Sequence, residues 1–63
     1  RARVRELLLK LPLRQRQVVS LRIDGELPFA EVARALGITE NNAKVCYHHA
    51  VKRLKQWVSE EEL

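Results

Sequence analysis

The chain has 63 residues, with 12 basic against 8 acidic side chains, one cysteine and no methionine. A chain this short buries only about 60% of its unfolded surface, which leaves one thin core and no room for a deep catalytic cleft. One cysteine excludes an internal disulfide and no paired Cys/His spacing points to structural zinc, so helix packing has to hold the fold.

The net charge is +4, but three of the eight acidic residues are the consecutive Glu60, Glu61 and Glu62. Without those 3, the 12 basic residues face 5 acidic ones (8 less 3). That balance favours an anionic partner, nucleic acid before an anionic membrane. No apolar run approaches a membrane span, no stretch reads as a signal peptide, and a lone cysteine fits a reducing, cytoplasmic setting. The chain starts at Arg1 and lacks methionine, so it is read as one domain, residues 1–63, of a longer protein.

Val4, Leu7, Leu8 and Leu11 follow i, i+3, i+4, i+7 and predict a first helix. Pro12 ends it, because the residue before a proline avoids the helical region. The next run, Leu13 to Ile23, turns Val18, Leu21 and Val19 inward, while Arg14, Arg16 and Arg22 point elsewhere. Asp24-Gly25 stops it, with Gly25 expected in the left-handed conformation. Pro28 suits a first helical position. Phe29, Val32, Ala33 and Leu36 repeat the helical spacing up to Gly37, the expected C′ residue. Thr39 is a good N-cap, Glu40 suits the first turn, and Asn42 replaces the acidic member of a full capping box. A last, long helix is expected from Glu40 to about Val58, with a buried stripe of Ala43, Tyr47, Ala50, Leu54 and Trp57. Residues 59–63 are expected as a frayed acidic tail. No strand alternation appears. The fold class is therefore all-α, four helices without a wing.

Phe29 to Tyr47 matches a helix-turn-helix. Ala33 and Ala43 allow close approach, Gly37 tolerates positive φ, and Ile38 plugs the corner. Opposite the buried stripe stand Asn41, Val45, His48 and Lys52, flanked by Lys44 and His49. The N-terminal part of such a helix enters the major groove. There asparagine pairs with adenine, lysine donates to guanine, and an apolar group meets the thymine methyl. Val45 suits that last contact, although single exposed valines are common. The candidate groove residues are Asn41, Asn42, Lys44, Val45, His48 and His49. Thr39 offers the helix N-terminus to phosphate, and Arg34 and Lys52 are phosphate candidates.

The stretch LPLRQRQVVSLRIDGELPFAEVARALGITENNAKVCYHHAVKRLKQ resembles the C-terminal domain of bacterial RNA polymerase sigma factors. This is region 4, which binds the −35 element, and the extracytoplasmic-function group matches best. The shared pattern is Leu11-Pro12, the polar start Arg14 to Gln17, Val18 to Ile23, Gly25, Phe29 to Ala33, Leu36 to Thr39, and Ala50 to Leu54. The resemblance implies promoter −35 reading by the last helix as part of RNA polymerase holoenzyme. It also implies docking on the β-subunit flap, masking by an anti-sigma factor, a separate −10-melting domain, and bacterial cytoplasm. In the reading helix Lys44 keeps the family pattern. Val45 replaces a small polar residue, Cys46 an arginine, and His49 a frequent basic residue.

Two alternatives remain at this level: a docking domain that does not read DNA, and a response-regulator output domain, against which the Leu-Pro start and the Ala-x-Lys-Arg-Leu ending argue. Cys46 and His49 at i, i+3 lack the further ligands of a closed metal site, and no nucleophile constellation is visible. No enzyme activity, cofactor, metal, membrane or small-molecule substrate is therefore expected. Cys46 reads as an apolar filler, and His48 and His49 as solvated side chains. Trp57 is expected to cap the core where the last helix crosses the first.

Overall fold

A computed structural model describes the backbone of residues 2–62 and the side chains of residues 5–60. It holds four α-helices: α1 (Ala2–Lys10), α2 (Leu13–Val19), α3 (Phe29–Leu36) and α4 (Glu40–Glu62). A π-helical turn, Ser20–Asp24, extends α2. No strand occurs among the described residues.

The apolar spacings dictate the packing. Leu7 and Leu11 are buried and Leu8 is partly so, as the first run predicts; the Val4 side chain lies outside those described. Val18 and Val32 are fully buried beside Ala33 and Ala43, which makes one core between α2, α3 and α4. Each such valine contributes roughly 1.5–3 kcal/mol through burial. A second core joins Leu11, Val19 and Ala50 with Leu8, Leu54 and Trp57 packed on it. Tyr47 touches both clusters and so couples the helix-turn-helix to α1. Trp57 caps this second core as expected, with the Lys10 ammonium 4.9 Å from its ring centre.

Four details differ from the sequence reading. The helix expected to run to Ile23 stays α-helical only to Val19. Beyond that the Gly25 N–H reaches the Ser20 carbonyl at 3.2 Å, an i→i+5 bond. Gly25 is not left-handed: its φ is −81°, and Glu26 takes the positive value, 53°. The reason for glycine at 25 is space, because a Cβ there would stand 2.7 Å from the Leu21 carbonyl oxygen. The Arg22 guanidinium holds the turn, donating to the Leu27 carbonyl at 3.2 Å and lying 4.9 Å from the Phe29 ring centre. Pro28 sits one position earlier than expected, as the N-cap, and its carbonyl accepts from Glu31 and Val32. Finally, α4 runs to Glu62 and not to Val58, so Ser59–Glu62 are helical. Gln56 donates to the Glu60 carboxylate at 3.4 Å on that last stretch.

The turn between α3 and α4 is as the sequence predicts. Gly37 has φ 69° and ψ 34°. Its N–H reaches Arg34 O, and the Ile38 N–H reaches Ala33 O at 3.0 Å. This pair of bonds is the Schellman arrangement, and Ile38 closes it by packing on the core. Nothing lies within 4 Å of a Cβ built at Gly37. Gly37→Ala therefore isolates the backbone cost, and urea unfolding should show a loss of about 1–2 kcal/mol.

Candidate nucleic-acid interface

Region Phe29–Tyr47 forms the helix-turn-helix. Ala33 (5% exposed) and Ala43 (0%) meet where α3 crosses α4, so the two backbones approach closely. The Phe29 and Tyr47 rings pack edge to face, centroids 5.4 Å apart at 74°. Such pairs favour this T-shaped geometry, and here it fixes the orientation of α4 against α3.

Fixing α4 inward fixes what it shows outward. Asn41, Val45, His48 and Lys52 form an exposed ridge opposite the buried Ala43 and Ala50. Val45 is 44% exposed amid these polar side chains. Lys44 lies on one flank, its ammonium 3.4 Å from the Glu40 carboxylate. Both partners are more than half exposed, so the pair is worth under about 1 kcal/mol and opens readily for another anion. Asn42 and His49 lie on the other flank, both exposed. The two histidine rings stand 6.1 Å apart and tilted by 54°.

Thr39 precedes this face and organises it. Its hydroxyl accepts from the Asn42 N–H at 3.0 Å, and its carbonyl accepts from Ala43 at 3.0 Å. The N-cap is thus formed without the acidic partner of a capping box. Thr39→Ala should lower stability by about 1 kcal/mol, and Thr39→Asp should recover most of that in thermal unfolding. Arg34, in the last turn of α3, is exposed and lies 3.7 Å from Glu31, an ion pair along its own helix. Eight of the nine expected contact residues, Thr39 to Lys52, therefore gather on the first thirteen residues of α4 and its cap. Arg34 stands apart on α3.

Sequence reasoning missed two features. Cys46 is partly buried against the core, as a filler would be, but its thiol also donates to the Asn42 side-chain oxygen at 3.2 Å. The i, i+4 spacing was the available signal. Glu40 suits the first turn by its charge, and it also holds Lys44. Among the described residues, no three His, Cys, Asp or Glu side chains converge as metal ligands do.

A second face is apolar. Leu8, Val19, Ile23 and Leu54, with Ser20 and Asp24 of the π-helical turn, line a groove there. Ile23 remains 55% exposed there, and Leu9, 68% exposed, lines a separate cavity with Arg5, Leu8, Arg16 and Ser20. Among the described residues, no helix is long and apolar enough to cross a membrane.

Comparison with known proteins agrees with this geometry. The family model "Sigma-70, region 4" matches residues 1–54. The chain is 42% identical over 53 residues to proteins named ECF RNA polymerase sigma factor SigD from Mycobacterium tuberculosis and Mycobacterium bovis. That alignment covers 84% of this chain and 25% of each relative, so the chain spans about a quarter of their length. With an all-helical fold, a helix-turn-helix over Phe29–Tyr47 and a family match over most of its residues, the chain belongs to the Sigma-70, region 4 family.

Proposed function

We propose that this domain binds duplex promoter DNA at the −35 element during transcription initiation, as the region 4 part of an extracytoplasmic-function sigma factor. It is a binding module and not an enzyme. The observation that carries the reading is the exposed ridge of Asn41, Val45, His48 and Lys52, with Lys44 beside it, on the second helix of a helix-turn-helix. Side chains of these types suit the major groove: lysine donates to guanine, asparagine pairs with adenine, and valine packs on the thymine methyl. Arg34, Thr39 and Lys52 contact phosphate, and Asn41, Asn42, Lys44, Val45, His48 and His49 face the bases.

Family membership supports the proposed partners. RNA polymerase core binds through its β-subunit flap, and an anti-sigma factor masks the domain; both act in the bacterial cytoplasm. The groove beside Ile23 and Leu54 is one apolar surface suited to protein docking.

Salt dependence tests the DNA reading. Two phosphates neutralised by Arg34 and Lys52 give a slope near −2 for log affinity against log salt, at roughly 0.9 per phosphate. Fluorescence anisotropy with a labelled duplex measures it. A slope near zero, together with binding to polymerase core, would replace this reading with a docking domain that does not contact DNA.

A further inference from the structure

The outward face of α4 carries two side chains whose charge is conditional. An imidazole is the side chain that ordinarily gains or loses its charge between about pH 5 and 8. Neutral, it offers one donor and one acceptor; protonated, it offers two donors. His48 and His49 are both exposed. Their ring centres stand 6.1 Å apart and tilted by 54°, so the rings are not stacked and each has room for its own proton. Each also continues a basic row. Lys44, His48 and Lys52 follow i, i+4, i+8, and Arg53 stands at i+4 from His49, all of them exposed. Residues at that spacing lie one above the other on a helix face, about 6 Å along its axis.

The protein itself brings no carboxylate to either ring. On α4, Glu40 is held by Lys44 at 3.4 Å, and Glu60 accepts from Gln56. On α3, Glu31 is held by Arg34 at 3.7 Å. From α1 come Glu6 and Lys10, and the Lys10 ammonium lies over Trp57. From α2 and its π-helical turn come Arg14, Arg16, Arg22 and Asp24, with Arg22 bonded to the Leu27 carbonyl. Among the described residues, no ion pair joins a histidine to any of these carboxylates.

We propose that His48 and His49 make DNA binding by this domain proton-linked: entry of α4 into the groove protonates them, and affinity rises as pH falls through the imidazole range. The duplex supplies what the free domain lacks, a dense row of anionic phosphates and, on guanine, two acceptors in the major groove. Nearby negative charge favours the charged imidazole, and only that form offers two donors to such acceptors. Each proton gained adds one positive charge beside Lys44, Lys52 and Arg53, against a polyanion. The sign follows from linkage, as it does for folding. The bound state holds more protons than the free one, so binding strengthens towards low pH and the gain is lost as pH rises. This inference rests on the proposed entry of α4 into the groove and adds to it a regulation of the same surface by pH.

The test is fluorescence anisotropy at pH 6, 7 and 8 and constant low ionic strength, with a labelled duplex that the wild-type chain selects from a random library. The wild type, His48→Gln, His49→Gln and the double variant are compared. Glutamine keeps a donor and an acceptor and takes up no proton in this range. Thermal unfolding at each pH confirms that every variant is folded. The wild type is expected to bind roughly four- to twentyfold more tightly at pH 6 than at pH 8, the scale of one or two imidazoles charged by a neighbouring anion. Each single variant loses part of that ratio. The double variant, whatever its affinity at pH 8, brings the ratio to about one. Calorimetry of wild-type binding at pH 7 in two buffers of different ionisation enthalpy is expected to show net proton uptake. A wild-type ratio near one would overturn the proposal, and so would a double variant that keeps the wild-type ratio. In both cases groove reading by α4 stands. If the wild type selects no duplex at all, the groove reading fails, and this inference fails with it.

Discussion

Ala43→Leu should destabilise the domain by about 2–3 kcal/mol, the cost of forcing a larger side chain into a packed crossing. Ala43 is 0% exposed and sits with Val18, Val32 and Ala33 where α3 and α4 touch. Three added carbons have no space there unless the helices separate. Separation would also break the edge-to-face contact of Phe29 with Tyr47. A domain of this size has a total stability of only about 3–9 kcal/mol, so a sizeable share is lost and the urea midpoint falls sharply. Val45→Leu, two residues on but 44% exposed, should change stability by less than about 0.5 kcal/mol. Equal effects at 43 and 45 would show that the crossing is not as tight as the structure places it.

Lys44→Ala should weaken duplex binding about tenfold or more, the scale of a charge-assisted hydrogen bond. Glu40→Gln should act in the opposite direction. Glu40 competes for the Lys44 ammonium at 3.4 Å and adds negative charge at the end of α4 that approaches DNA. Its removal frees the lysine and lessens repulsion, with an expected gain of about two- to fivefold, since the exposed ion pair it breaks is worth under about 1 kcal/mol. Titration by fluorescence anisotropy at low salt reads both changes. If both variants weaken binding alike, Glu40 supports the interface through helix stability and not through competition for Lys44.

The outline of the fold was legible because periodicity and punctuation are local. Leu7 and Leu11, then Val32 and Ala33, are buried where the i, i+3, i+4 spacing puts them. Gly37 and Thr39 do what their backbone and hydroxyl chemistry predict. The π-helical turn was not legible, since an i→i+5 bond leaves no mark in apolar spacing. Gly25 looked like a left-handed stop and is instead the residue with no Cβ to strike the Leu21 carbonyl. Positive φ at Glu26 carries no composition signal, and Arg22 compensates from a neighbouring turn by bonding Leu27. The sequence places the end of α4 four residues short, because three consecutive glutamates look like a solvated tail, yet they continue the helix to Glu62.

The candidate interface divides the same way. A helical wheel drawn from Ala43 and Ala50 places Asn41, Val45, His48 and Lys52 outward, and those four are exposed. The pairing of side chains along α4 depends on rotamers that spacing alone does not choose. Hence Lys44 with Glu40, and Asn42 with Cys46, became visible only in three dimensions.

The central claim is that the outward ridge of α4 reads base edges. The most direct measurement is selection of bound duplexes from a random library at low salt, with wild type and Lys44→Ala in parallel. The predicted result is a short wild-type motif in which one guanine position loses its preference in the variant. Salt-sensitive binding without a motif from either protein would contradict the claim and leave α4 as a surface that touches only phosphate or protein.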